Sequence, residues 1–140
     1  MKIESEDFDE IKSYDIECFG FDRAKFLKNW LTLPDRQSFK YLENNALKGF
    51  AVIRKVNIGF KIGPLFADND AIAEELYRAC LNSAIGEPIY FDIPTVNKGA
   101  IQIVKKYNAQ YTFECARMYY GNAPKINMNK VYGITSFELG

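Results

Sequence analysis

The sequence contains no histidine among its 140 residues, and this absence restricts the possible chemistry more than any other feature. Without histidine, neither a Ser-His-Asp nor a Cys-His mechanism is available. Histidine-ligated zinc and the 2-His-carboxylate iron site are excluded as well, so we expect no metal site. Any proton transfer must therefore use Asp, Glu, Tyr, Lys, Cys, a backbone group or water.

Cysteine is also scarce, and the chain lacks long apolar runs. Cys18, Cys80 and Cys115 are odd in number, far apart and without a CxxC pair. This pattern is typical of reduced, mostly buried thiols in a cytoplasmic protein. The acidic start MKIESEDFDE has no apolar signal-peptide core, and no apolar run approaches the ~20 residues of a membrane helix. We therefore expect a cytoplasmic protein with no membrane segment.

An excess of charge of either sign is missing. Lys+Arg and Asp+Glu are 18 each, and no basic stripe with exposed aromatic residues is visible, so we expect no nucleic-acid partner. What is present is an apolar fraction of 48% with 15% aromatic residues. These values predict one globular domain over residues 1–140 with a well-filled core.

Hydrophobic periodicity predicts the order α-α-β-β-β-α-β-α-β-β and hence an α/β (α+β) fold. Its mixed, twisted sheet has about six strands and is flanked by about four helices. Pro64 cannot donate to a strand ladder, so its strand must be unpaired or bulged there. Asp22, Asp68, Asp70 and Asn97 are candidate helix N-caps, and Asn108 is a candidate C-cap. The predicted helices span residues 8–19, 23–33, 71–83 and 98–107, and the predicted strands span 38–42, 48–56, 60–66, 89–93, 111–120 and 131–139.

Four sequence stretches add evidence to the predicted order of helices and strands: GFKIGPLFADNDAIAEEL, IYFDIPTVNKGA, ARMYYG and VYGITSFELG. Together they resemble GNAT (Gcn5-related N-acetyltransferase) acyltransferases, and most of all the C-terminal domain of tandem-domain GNAT proteins. The resemblance covers nearly the whole chain, although the first GNAT strand is at best a stub over residues 1–5. The asparagine of IYFDIPTVNKGA is similar to the family pattern N-x-x-A.

The resemblance implies acetyl-CoA in a V-shaped split between the fourth and fifth GNAT strands, which are residues 60–66 and 89–93 here. The pantetheine would pair with the backbone of residues 62–65, and the pyrophosphate would lie at the N-terminus of the helix near Asp70. The implied cofactor contacts are Ile62, Gly63, Leu65, Asp70, Ala71 and Asn97.

Two positions depart from the family pattern. The family's R/Q-x-x-G-x-G/A phosphate loop is replaced by residues 67–72, ADNDAI, which contain neither glycine nor a basic residue but have two carboxylates. The tyrosine that many members carry seven residues after the asparagine is replaced by Val104. Tyr107, Tyr119 and Tyr120 are the alternative sources of a proton, or they are core and rim aromatic residues.

Asp92 lies inside an apolar strand and therefore needs a partner or a function. The resemblance implies a general base for the amine, and the other interpretation is an ion pair with Arg54 or Lys61. Arg117 is a candidate for an anionic ligand group, or it pairs with Glu114 or Asp92. The candidate acid–base residues are thus Asp92, Tyr107 and Tyr119, and the candidate substrate contacts are Arg54, Arg117 and Tyr120.

Two functions remain open at this point. The first is direct transfer of an acetyl group from acetyl-CoA to a small-molecule amine. The second is a catalytically degenerate GNAT-like domain that binds a ligand or packs beside a catalytic domain. The missing phosphate loop favours the second function, and the overall resemblance favours the first. The partner would be a tandem GNAT domain, or a second copy of the chain paired through the last strand.

Overall fold

A computed structural model of the chain describes residues 1–94, 96–107, 109 and 128–135. Within these residues the order of helices and strands agrees with the prediction as far as the fourth helix. The predicted strand 111–120 and the candidate cap Asn108 lie outside the described residues. The helices are α1 (Phe8–Phe19), α2 (Ala24–Thr32), α3 (Asp70–Asn82) and α4 (Lys98–Lys106), and the strands are β1 (Arg36–Glu43), β2 (Ala46–Lys55), β3 (Phe60–Ala67), β4 (Ile89–Phe91) and β5 (Val131–Gly133).

The strands form one mixed sheet, as predicted. Its order is β1-β2-β3-β4, with antiparallel β1–β2 and β2–β3 pairs and a parallel β3–β4 pair. β5 pairs antiparallel with β3, at the end of β3 that β4 does not reach. The predicted N-terminal stub is present as a bridge between Lys2 and Phe39 on β1. β3 therefore has β2 along one edge and both β4 and β5 along the other.

Each face of the sheet has its own apolar cluster, because successive strand residues point to opposite sides. Phe50 and Phe66 face α1 and α2 and pack edge to face, with ring centroids 5.5 Å apart. Ala51 and Ile62 face α3 and α4. All four side chains are almost completely buried. The sheet is thus the middle layer between two pairs of helices.

Local signals account for most element ends. α1 ends as predicted at Gly20, which has φ 101° and so adopts a backbone conformation that glycine tolerates best. The Asp22 carboxylate accepts a hydrogen bond from the Ala24 N–H at 2.9 Å, but the N-cap position of α2 belongs to Arg23. The prediction of Asp22 as the N-cap is therefore wrong by one residue, although its side chain does bind the first turn.

The predicted irregularity at Pro64 is confirmed. β2 and β3 pair Ala51 with Leu65 and Ile53 with Ile62. Between these pairs β2 has one residue and β3 has two, Gly63 and Pro64. This is a β-bulge, which bends the strand and ends regular pairing locally. The bulge lies within residues 62–65, with whose backbone the resemblance pairs the pantetheine.

Candidate functional site

The split between β3 and β4 is the first part of the candidate site, and β5 lies in it. β3 and β4 pair only from Phe60 to Ile62 on β3. Beyond this point, Leu65 pairs with Gly133 of β5. On the other side of the split, the Ile134 N–H donates to the Asp92 carbonyl at 3.0 Å. The segment that contains β5 therefore bridges the two strands that the resemblance expects to splay around a cofactor.

Three predicted cofactor residues, Ile62, Gly63 and Leu65, lie along this split and are buried. A Cβ added to Gly63 would lie 2.5 Å from the Ile134 carbonyl oxygen. The Gly63 carbonyl accepts a hydrogen bond from the Trp30 indole N–H at 3.1 Å. The backbone that was predicted to face pantetheine instead contacts the protein's own chain.

An ion pair holds the far end of this segment in place. Arg23 donates two hydrogen bonds to the Asp15 carboxylate, at 2.8 and 2.7 Å, and one to the Thr135 hydroxyl at 2.9 Å. Thr135 is fully buried and Asp15 is 1% exposed. The guanidinium also lies 3.7 Å from the centroid of the Phe19 ring. α1 and α2 thus bind the end of the β5 segment through a buried charge.

The second part of the candidate site is an open hollow of about 780 Å³ at the N-termini of α3 and α4. The predicted cofactor residues Asp70, Ala71 and Asn97 line it. Helix N-termini attract anions, because their free N–H groups and the helix dipole are positive there. The Asp70 carboxylate lies against Gly99 in the first turn of α4. A side chain of the protein thus already places negative charge between the two helix ends.

Tyr132 of β5 fixes the Asp70 side chain. Its hydroxyl donates to the Asp70 carboxylate at 2.5 Å. Burial and this hydrogen bond raise the pKa of Tyr132 above its ordinary value. The phenol therefore stays protonated and acts as a donor at physiological pH.

Asp68 is the other carboxylate of the departing loop, and its partners also come from the protein. Tyr14 donates to it at 2.6 Å, and the Lys130 ammonium lies 3.2 Å away. Burial alone would raise the pKa of Asp68, but these hydrogen bonds and the charges of Lys130 and Lys48 outweigh it and lower the pKa. Asp68 is therefore ionised and stabilises the fold.

Neither aspartate is the N-cap of α3, so that prediction is wrong. Asn69 is the cap, and its side-chain oxygen accepts from the Ile72 N–H at 3.0 Å. Asp70 is the first residue of the helix instead. Asn, Asp and Ser cap helices about equally well, so the sequence alone does not choose among the three neighbours.

Asn97 is the N-cap of α4, as predicted. Its oxygen accepts from the Ala100 N–H at 3.0 Å. Its amide nitrogen lies within hydrogen-bond distance of the carbonyl oxygens of Met128, Asn129 and Val131, at 3.2, 3.4 and 3.0 Å. The side chain is 5% exposed. Asn97 therefore connects α4 to the start of β5, and its polar atoms already have partners within the protein.

Asp92 forms the ion pair that was one of its two interpretations. Its carboxylate lies 2.6 Å from the Lys61 ammonium of β3. The predicted substrate residue Arg54 lies directly opposite Lys61 on the neighbouring strand β2. Phe91 and Ile93 contact the cluster under α3 and α4. Asp92 alternates with them and so points to the other face of the sheet.

Tyr107 is not near Asp92. It follows α4 at its C-terminal end, and its hydroxyl donates to Glu74 of α3 at 3.3 Å. It also packs edge to face on Tyr77, with ring centroids 5.3 Å apart. It contacts the cluster on the α3 and α4 side of the sheet. The structure therefore does not bring the predicted base and this predicted acid together.

The remaining candidates, Arg117, Tyr119 and Tyr120, lie outside the described residues, as does Cys115. Cys18 and Cys80 are buried and unpaired, as predicted for these two. In the described part of the chain, no helix is long and apolar enough to cross a membrane. The same residues include no group of three or more His, Cys, Asp or Glu side chains that could hold a metal ion.

The sequence interpretation did not identify four residues that shape these sites: Arg23, Trp30, Tyr132 and Thr135. Trp30 is the single tryptophan of the sequence and follows Phe26 by four positions on a helix, which was an available signal. The other three act through contacts between distant segments: Arg23 binds Asp15 and Thr135, and Tyr132 binds Asp70. No local pattern in the sequence marks such contacts.

Comparison with known proteins agrees with this architecture. The chain is 31% identical, over its whole length, to holothin acyltransferase of Pseudoalteromonas sp. (strain SANK 73390) and spans 48% of that protein. A candidate acetyltransferase from Pyrococcus horikoshii superposes with a TM-score of 0.79 at 28% identity, over 94% of this chain and 43% of the other. The chain thus spans about half the length of these two relatives.

More distant structures share the fold alone. The ribosomal-protein-alanine N-acetyltransferase of Brucella melitensis biovar Abortus 2308 aligns with a TM-score of 0.64 at 12% identity, over 86% of this chain and 96% of the other. The family model of the acetyltransferase (GNAT) domain matches residues 11–133, which is most of the chain. The sheet, the helices and the family match together show that the chain belongs to the GNAT acetyltransferase family.

Proposed function

We propose that this domain takes part in acyl transfer without binding acetyl-CoA itself, packed beside a catalytic GNAT domain. The observation that carries the proposal is the β5 segment between β3 and β4. Members of the family generally hold acetyl-CoA in this split and transfer its acyl group to an amine. In this proposal the companion domain performs that reaction, and the present domain has kept the fold without the cofactor site.

The split does not fit a pantetheine chain. Pantetheine would need free backbone groups on the distal half of β3. Leu65 and Phe66 already pair with β5, and the Gly63 carbonyl already accepts from Trp30. Binding would therefore require β5 to move out of the split. This movement would break the buried hydrogen bond between Arg23 and Thr135. Such a rearrangement loses backbone pairing and exposes buried apolar side chains such as Val131.

The hollow does not fit a diphosphate either. Asp68 and Asp70 line it, and Asp70 lies against the first turn of α4. Each unit charge brought to contact distance of a phosphate costs about 1 kcal/mol in water and more at lower dielectric. The loop also has no glycine that would let its backbone approach the phosphates.

The companion domain is supported by the lengths of the relatives. Holothin acyltransferase and the Pyrococcus horikoshii protein are each about twice as long as the matched region. A second domain of similar size therefore fits in both. We also place the protein in the cytoplasm, which the two buried, unpaired cysteines favour.

Calorimetric titration of the 140-residue chain with acetyl-CoA, with desulfo-CoA as a second ligand, tests the proposal. We expect no saturable heat at millimolar concentration. Asp70→Asn should not bind either, because β5 still lies in the split, and Asp9→Asn on the exposed face of α1 is the matched control. Micromolar binding by the unmodified chain would overturn the proposal. Binding gained by Asp70→Asn alone would show that the loop, and not β5, excludes the cofactor.

A second candidate is acetyl transfer by this domain itself, which the convergence of two helix N-termini at the open hollow favours. Asp92 would be the base, but it would first have to leave its ion pair with Lys61. The measurement is release of free thiol from acetyl-CoA in the presence of a panel of amines. Turnover that Asp92→Asn reduces at least tenfold would establish this function, and no turnover would exclude it for the isolated domain.

A further inference from the structure

Three cationic side chains form a row across one face of the sheet. Arg36 of β1 is the direct cross-strand partner of Arg54 of β2, which is in turn the partner of Lys61 of β3. Their neighbours Ile53 and Ile62 point into the cluster under α3 and α4, so the row faces α2. Like charges directly opposite each other on a sheet are destabilising. The repulsion among these three cations therefore has to be offset by nearby groups, or the row binds an anion.

Trp30 of α2 lies over two members of this row. The guanidinium carbons of Arg36 and Arg54 are 4.8 and 5.1 Å from the centroid of its ring. The ring is held in place by the hydrogen bond to Gly63 and by Phe26, whose centroid is 5.2 Å away. Aromatic faces attract cations, so Trp30 positions both arginines without neutralising them.

Among the residues that the structure describes, no carboxylate forms an ion pair with Arg36 or Arg54. Among the described residues, Asp92 forms an ion pair at one end, with Lys61. The Nε atoms of Arg36 and Arg54 are buried and have no hydrogen-bond partner within the described part of the chain. Burial and, next, the charge of Arg54 lower the pKa of Arg36, and Asp35 offsets this only in part. Arg36 Nη1 donates to the Trp30 carbonyl at 3.0 Å, so within the described ranges the Nε atoms are the donors of these two guanidinium groups shown to lack a partner.

We propose that Arg36 and Arg54 bind the carboxylate or phosphate group of a small anionic ligand, with Trp30 as the wall of the site. A planar guanidinium fork matches both groups, and two adjacent forks match them better than one. A bound anion reduces the repulsion between the two arginines. The site is separate from the acidic hollow, because Lys61 and Asp68 are about 23 Å apart along β3.

The single tryptophan provides a direct readout. The chain is titrated with citrate or with inorganic phosphate at constant ionic strength, and Trp30 fluorescence is recorded. We expect a saturable change, and Arg54→Gln and Arg36→Gln should each weaken binding at least tenfold. Arg78→Gln, which removes a half-exposed arginine from α3, should bind as the unmodified chain does. Saturation by citrate alone would assign a carboxylate, and saturation by phosphate alone would assign a phosphate.

Thermal unfolding with and without the same probes keeps the test independent of fluorescence. A bound anion should raise the Tm of the unmodified chain and of Arg78→Gln, and should leave the Tm of Arg54→Gln unchanged. No saturable fluorescence change with either probe would overturn the proposal. Equal responses of Arg54→Gln and Arg78→Gln would also overturn it, since the effect would then come from general ionic screening.

Discussion

Removing the carboxylate of Asp15 should destabilise the domain strongly, because it leaves Arg23 buried without its partner. Asp15 is 1% exposed, and the two nitrogen–oxygen distances to Arg23 are 2.8 and 2.7 Å. Loss of one member of a buried ion pair costs about 3–5 kcal/mol in the free energy of unfolding. For a chain of this length that corresponds to a fall in Tm of roughly 10–15 °C.

The assay is a double-mutant cycle of Asp15→Leu, Arg23→Met and both together, measured by urea denaturation. We expect each single variant to lose about 3 kcal/mol or more, and the double variant to lose less than the sum of the two by at least ~2 kcal/mol. The matched control is the exposed pair Glu75 and Arg78 at 3.4 Å, where the coupling should be below ~0.5 kcal/mol.

Additive losses at Asp15 and Arg23 would refute this reasoning. They would mean that the two charges do not stabilise each other, and that Arg23 is held mainly by its contact with the Phe19 ring. Thr135→Val adds a smaller test of the same network, since it removes one hydrogen bond of 2.9 Å to Arg23. We expect a loss of about 1 kcal/mol, because Asp15 still pairs with the guanidinium.

Three further changes test other parts of the site. Asn97→Ala should cost about 2–3 kcal/mol of unfolding free energy, since it removes both the helix cap and the buried amide donor. Asn97→Ser keeps a cap and should cost about half as much. Equal losses for the two variants in urea denaturation would mean that the cap does not contribute separately from the amide donor. Gly63→Ala should cost about 1–3 kcal/mol, because the new Cβ meets the backbone of the β5 segment at 2.5 and 2.7 Å, and unchanged stability in the same assay would mean that this segment does not lie against β3 as described. The lowered pKa of Asp68 means that its stabilisation is present above its ordinary value of 3.8 and is lost as the pH falls through the lower folded value. The Tm difference between the unmodified chain and Asp68→Asn should therefore be largest near neutral pH and should shrink as the pH falls below 3.8. A difference that does not depend on pH would rule out the charge as its source.

The elements that the sequence predicts well are those with a strong local signal. Helix α1 has the predicted bounds, residues 8–19, because its apolar spacing ends at Phe19 and a glycine follows at once. The missing N–H of proline predicts an unpaired or bulged position at Pro64, and the structure has a bulge there. The cap of α3 was misplaced by one residue, since three good capping residues follow one another. The family resemblance is also confirmed, because it depends on short sequence strings on β3, β4 and α4.

The cationic row illustrates what local reasoning misses. Asn44 and Asn45 connect β1 to β2, and both have positive φ, at 53° and 65°, as in a tight hairpin turn. Counting back from that turn places Arg36 opposite Ile53. A shift of one residue between Tyr41 and Leu42 places it opposite Arg54 instead. The extra residue is Lys48 of β2, and only this irregularity puts Arg54 directly opposite Arg36.

By itself, then, the sequence determined the order of the four helices, an irregular position at Pro64, the exclusion of histidine chemistry and the family. These follow from short-range periodicity, turn chemistry and residue types, which depend on neighbouring residues and little on the rest of the fold. Only the tertiary structure decided that β5 lies between β3 and β4, that Asp70 faces the end of α4, and that Arg23 joins Asp15 to Thr135. Arg23 and Thr135 are 112 residues apart, and such contacts depend on how the whole chain packs. Because those contacts determine what lies between β3 and β4, the fold could be predicted from the sequence and the arrangement of the candidate site could not.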